Sequence, residues 1–176
     1  MEKIFYADIA KFSTTEDLAK KIFARYFGIS NPKIQRTEVG KPYLLGDFGL
    51  FFSLSHTKDK VFFAVSDKNV GLDAESLNRE VNYLPILQKF TDYERQTVTS
   101  TADFLKLWTL KESVIKWLGG TLASHLKNVE IREKQCYYKS VPLPVFLTEK
   151  EIDGHVLHVC SDKDFSNAEL IPLSIL

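Results

Sequence analysis

Cysteine, methionine and net charge are what this sequence has least of. Two cysteines, Cys136 and Cys160, and one methionine occur in 176 residues, and the cysteines form no Cys-x-x-Cys pair. That excludes a disulfide framework and offers no thiolate spacing for a metal; two buried thiols in a reducing compartment are expected. Lysine plus arginine and aspartate plus glutamate are both 23, so bulk charge argues against nucleic acid as a partner and leaves room only for a local basic pocket. No run approaches the ~20 apolar residues a membrane helix needs. The first ten residues carry Glu2 and Asp8 and no apolar stretch of the kind a secretory signal has. Internal repeats, low-complexity tracts and Gly/Ser linkers are absent as well. A cytoplasmic protein without membrane contact is expected, with enough chain to build a core unaided by disulfides.

What is present is a mixed succession of strand and helix signals. Residues 4–9 read as a strand. Ser13-Thr14-Thr15-Glu16 predicts a capping box ahead of the apolar stripe Leu18, Ile22, Phe23 and Tyr26, and Gly28 predicts the end of that helix. Gly40-Lys41-Pro42 is a loop, because Pro42 disfavours helix at the residue before it. Strands are expected over residues 50–55, 60–66 and 70–74, with Ser55-His56-Thr57-Lys58-Asp59 as a polar turn between the first two. Thr91-Asp92-Tyr93-Glu94 is a second capping box, and a longer helix runs from about Thr101 to Leu118, closed by Gly119-Gly120. The remainder is β-rich, with Asp153-Gly154 as a hairpin turn. Without βαβ repetition, this order predicts an α+β fold.

Chemistry concentrates in two segments. Asp73 and Glu75 stand two apart at a strand end, so both carboxylates face one side, where they repel unless a cation, a basic side chain or solvent intervenes. On the long helix Trp108, Glu112 and Lys116 recur at intervals of four and share a face, with Lys111 to one side. Residue types alone leave two readings open. Glu112 and Lys116 make a surface ion pair and Asp73 with Glu75 a solvated turn, or the segments meet and hold a hard divalent cation beside a polyphosphate. His56 and Lys41, both in polar loops, are equally ambiguous.

The order of the motifs narrows the choice. Gly40-Lys41-Pro42, then Ser53-Leu54-Ser55-His56, then Val70-Gly71-Leu72-Asp73-Ala74-Glu75, then Trp108-Thr109-Leu110-Lys111-Glu112-Ser113-Val114-Ile115-Lys116 resembles the Sfp-type 4′-phosphopantetheinyl transferases over about residues 36–122. The resemblance implies two similar α+β halves related by a pseudo-two-fold axis, here residues 1–76 and 77–176, in a monomer with its site in the cleft between them. It implies transfer of the phosphopantetheine arm of coenzyme A to a serine of an acyl or peptidyl carrier protein, releasing adenosine 3′,5′-bisphosphate. By the same resemblance Asp73, Glu75 and Glu112 surround Mg²⁺, for which Mn²⁺ can substitute. Glu112 is the first choice as base and Glu75 its rival, while Lys116 and Lys111 stand at the pyrophosphate. Ser55 and His56 hold the 3′-phosphate, Lys41 lies on the nucleotide side, and Trp108 fixes the helix against the core.

Family members also carry a basic segment before the first matched helix, where this sequence has about ten residues. Lys11, Lys20, Lys21, Arg25 and Arg36 are basic residues nearby, none matched to that segment. A homologue that binds coenzyme A or a carrier protein without turnover is therefore the alternative expectation.

Overall fold

The structure, a computed structural model, describes residues 1–173. The chain opens with β1 (Lys3–Asp8), α1 (Thr15–Phe27), the short pair β2 (Ile34–Arg36) and β3 (Pro42–Leu44), and the long strands β4 (Phe51–His56), β5 (Lys60–Ser66) and β6 (Val70–Ser76). Three helices follow, α2 (Leu84–Leu87), α3 (Asp92–Thr97) and α4 (Thr101–Leu118), then α5 (Leu122–His125). A small ladder of β7 (Val129–Arg132), β8 (Gln135–Tyr138) and β9 (Val141–Pro142) precedes the hairpin of β10 (Phe146–Ile152) and β11 (His155–Ser161), and β12 (Glu169–Pro172) comes last. Helices and strands in this mixed order make an α+β fold.

Local chemistry explains most boundaries. Gly28 and Gly119 end α1 and α4 in the left-handed region, at φ of 65° and 69°, where a side chain would be strained. Asp153 and Gly154, both at positive φ, form the two-residue turn between β10 and β11. Thr91 and Glu94 make the reciprocal capping box expected of α3. The first cap lies one residue later than expected: Thr14 accepts from the Asp17 amide at 3.0 Å, while Ser13 binds the Asp17 carboxylate. His56 completes β4 and does not belong to the turn. Strand β12, which the sequence does not announce, pairs parallel with β1.

Two sheets position the site. One has the order β12-β1-β5-β4, the other β10-β11-β6. Helix α1 covers the first through Leu18, Ile22 and Phe23 against Phe5, Phe52 and Phe63. Helix α4 packs Phe104, Leu105, Val114 and Ile115 with Val129, Ile131 and Cys160. A third cluster, including Ile4, Phe62, Leu72, Leu157 and Val159, joins residues of both sheets. Hydrogen bonding crosses residue 76 in both directions, since β6 pairs with β11 and β12 with β1. Among the described residues, no helix is long and apolar enough to cross a membrane.

Candidate active site

Strands β4 and β6 are the facing edges of the two sheets, and edge amides need partners. Side chains supply them. Ser53 Oγ accepts from the Leu72 amide at 2.9 Å, and Ser55 Oγ accepts from the Ala74 amide at 3.3 Å. Two serines two residues apart point to one face of β4, which is why both reach β6. Lys116 of α4 closes the seam from above, its Nζ 3.0 Å from the Leu72 carbonyl and 3.4 Å from that of Leu54.

The helix can come this close because residue 71 is glycine. A β-carbon there would stand 2.1 Å from the Ser113 carbonyl and 2.4 Å from the Trp117 amide, contacts with backbone that no rotamer relieves. Asn69 completes the junction by donating to the Trp117 carbonyl at 2.8 Å.

Around this seam Asp73, Glu75, Glu112 and Lys116 assemble. Asp73 is buried; its Oδ1 accepts from Lys116 Nζ at 2.7 Å and from Ser55 Oγ at 2.8 Å. Glu75 pairs with Arg79. Glu112 makes no ion pair among the described residues, and its carboxyl is pushed up from 4.5 to about 7. Burial is the main cause, followed by repulsion from Asp73; Lys116 opposes the rise, Glu75 adds to it and Arg79 opposes it. A cleft of about 600 Å³ opens beside the cluster, lined among others by His56, Lys58, Glu75 and Arg79. His56 is exposed at the end of β4 and also lines a second hollow with Ser13 and Thr14, at the start of α1.

Two expected site residues are placed elsewhere. Lys111 is fully buried: its amine binds both oxygens of Glu94, at 2.6 and 2.8 Å, and the Val129 carbonyl. Adjacent positions on a helix point about 100° apart, so Lys111 faces the core while Glu112 faces β6. It ties α4 to α3 and β7. The Ser55 hydroxyl is buried, donates to Asp73 and accepts from the Ala74 amide, so it supports the acidic cluster. Lys41 is half-buried, with its amine 3.2 Å from Asn69 Oδ1 and 3.4 Å from the Val70 carbonyl; burial lowers its pKa. It braces the Gly-Lys-Pro loop at the start of β6. Trp108 stacks with Phe90 and Phe104, in the packing role expected of it.

Ser53, Gly71 and Arg79 contribute to this arrangement at positions that the motifs leave without a role. The period-two serines of β4 are the available signal for the first, and the glycine ahead of a short apolar-acidic strand for the second.

Among the described residues, no three His, Cys, Asp or Glu side chains converge as a ready metal cage. Asp73 and Glu75 are drawn onto Lys116 and Arg79. The donor set is nonetheless of the kind a hard divalent cation takes: Asp73, and more weakly Glu75, lies near enough to Glu112 for its charge to push that carboxyl up.

Acidic side chains and a lysine thus stand together between a strand and a helix of an α+β fold. A family model described as the 4′-phosphopantetheinyl transferase superfamily matches residues 69–161, the span that holds β6, α4 and all four side chains. The chain belongs to that superfamily. It is 30% identical over 159 residues to 4′-phosphopantetheinyl transferase gsp of Aneurinibacillus migulanus, covering 83% of this chain and 66% of that one. It is 30% identical over 125 residues to a 4′-phosphopantetheinyl transferase of Bacillus subtilis, covering 67% and 51%. With 4′-phosphopantetheinyl transferase Sfp of Bacillus subtilis strain 168 it shares 26% over 159 residues, 82% and 70% of the two chains. The chain thus spans between about half and about two-thirds of the length of these relatives.

Proposed function

We propose that this protein transfers the 4′-phosphopantetheine arm of coenzyme A to a serine hydroxyl of an acyl or peptidyl carrier protein and releases adenosine 3′,5′-bisphosphate. The observation that carries the reading is the gathering of Asp73, Glu75, Glu112 and Lys116 between β6 and α4, within the span that the superfamily model matches. In the cation-free protein, burial and then Asp73 push the Glu112 carboxyl up to about 7, which favours its taking a proton. The relatives' names support the same activity.

In this reaction the serine oxygen bonds to the phosphorus that carries the arm, the phosphoanhydride bond breaks, and the bisphosphate leaves with the electron pair. Glu112 takes the serine proton, with Glu75 as the alternative acceptor. Lys116, fixed by two carbonyls and Asp73, offers a preorganised positive charge to the phosphates, which costs little reorganisation during transfer. His56, exposed at the cleft, binds the 3′-phosphate. Lys41 acts on the nucleotide side by holding the Gly-Lys-Pro loop against β6. Ser55 orients Asp73.

Asp73, Glu75 and Glu112 are the residues that would hold Mg²⁺ or, in its place, Mn²⁺; bound there, such a cation neutralises pyrophosphate charge as a Lewis acid. With the chain divided near residue 76, β6 contributes the first two carboxylates and α4 the third, so the site lies where the two halves meet.

The test is mass spectrometry of apo carrier proteins incubated with the chain, coenzyme A and Mg²⁺. Addition of one phosphopantetheine to the carrier serine supports the proposal. Absence of addition across several carriers, with coenzyme A still bound, favours a binding homologue without turnover.

A further inference from the structure

The Arg79–Glu75 pair has no counterpart in the motifs. Arg79 is half exposed, at 49%, whereas Glu75 is 14% exposed, so the guanidinium sits over the carboxylate from the solvent side of the cleft that both residues line. The backbone between them is pinned. Leu77 N donates to the Gly154 carbonyl at 2.9 Å, and Arg79 N donates to the Ser76 carbonyl at 3.0 Å. The resulting turn folds residue 79 back onto the strand end. Lys58, also at the cleft, is in no ion pair with Glu75 among the described residues, and Lys116 is committed to Asp73. Arg79 is therefore the cation that neutralises Glu75.

We infer that Arg79 is a built-in competitor for the acidic site, holding Glu75 in the cation-free protein and giving way when a divalent cation takes that carboxylate. The inference rests on the reading of Glu75 as a metal-facing residue. Arg79 meets Glu75 through Oε1, and that oxygen cannot serve a guanidinium and a hard cation at full strength together, so an ion that takes Oε1 displaces the arginine. Because the pair is solvent-exposed on one side, its strength is that of a surface ion pair, and the penalty on cation affinity is about two- to fivefold. The arrangement keeps Glu75 neutralised between turnovers at a small cost in affinity.

Calorimetric titration of Mn²⁺ into the full chain, without coenzyme A, tests this. Arg79→Gln should bind Mn²⁺ about two- to fivefold more tightly than wild type. Arg79→Lys, which keeps the charge, should bind about as wild type does. A gain in affinity is not what a damaged fold produces, and thermal melts of each variant check that the fold is kept. The inference is overturned if Arg79→Gln binds Mn²⁺ equally or more weakly, or if Arg79→Lys tightens binding as much as the glutamine does. Glu75→Gln separates the two levels of argument. If it leaves Mn²⁺ affinity intact, the site reading itself fails. If it removes binding while Arg79→Gln changes nothing, only the role given to Arg79 fails.

Discussion

Glu112 should destabilise the metal-free protein at neutral pH, and replacing it with glutamine should reverse the effect. Its carboxyl is raised from 4.5 to about 7, chiefly by burial and then by Asp73. A raised carboxyl favours the folded state while it is protonated. Its contribution is thus complete below the unfolded value of 4.5, falls as pH rises because the unfolded chain ionises first, and is lost above about 7. Each tenfold change in proton affinity between the folded and unfolded chain is worth ~1.4 kcal/mol, so the loss amounts to about 3 kcal/mol. Glu112→Gln is neutral in both states, keeps the size of the side chain and has no such loss. In a chelator, wild type and variant should melt together near about pH 4.5, and the variant should melt roughly 6–12 °C higher near about pH 8. Added Mg²⁺ should narrow that gap by stabilising wild type selectively, and the variant should have no transfer activity at any pH. Parallel melting curves across the range, or a variant less stable at high pH, would refute the electrostatic account of the site.

Removal of the Lys111 amine by Lys111→Ala leaves Glu94 buried and charged without its partner, so denaturant unfolding should show a loss of about 3–5 kcal/mol; a specific rise in KM for coenzyme A with stability unchanged would return Lys111 to the anion. Gly71→Ala drives a methyl group into the backbone of Ser113 and Trp117 and should either prevent folding or separate α4 from β6, with transfer lost and the melting transition lowered, whereas wild-type activity would contradict the close approach. His56→Ala should raise KM for coenzyme A more than it lowers kcat, and an unaltered KM would remove His56 from the nucleotide.

How much of the fold was legible in the sequence depended on whether the deciding interaction was local. Helix α4 was readable to its ends, because a long apolar periodicity and a terminal Gly-Gly act within a few residues of chain. Strand β12 was not, because its charged, proline-ended segment carries no strand signal of its own and is ordered by a parallel partner, β1, at the opposite end of the chain.

Glu94 and Lys111 illustrate the same divide inside the motifs. The capping box identified Glu94 as the third residue of α3, and both its oxygens then take up Lys111 while one of them also accepts from the Ile131 amide, a partnership 17 residues distant that no local rule encodes. On α4, a lysine and a glutamate side by side look alike as candidate ligands. What separates them is which side of the helix meets an apolar core and which meets an edge strand, and that depends on Gly71 admitting α4 against β6. The acidic cluster is therefore a product of a packing contact at a glycine as much as of its carboxylates: with any larger residue at position 71, Glu112 would lose both the burial and the neighbours that raise its pKa.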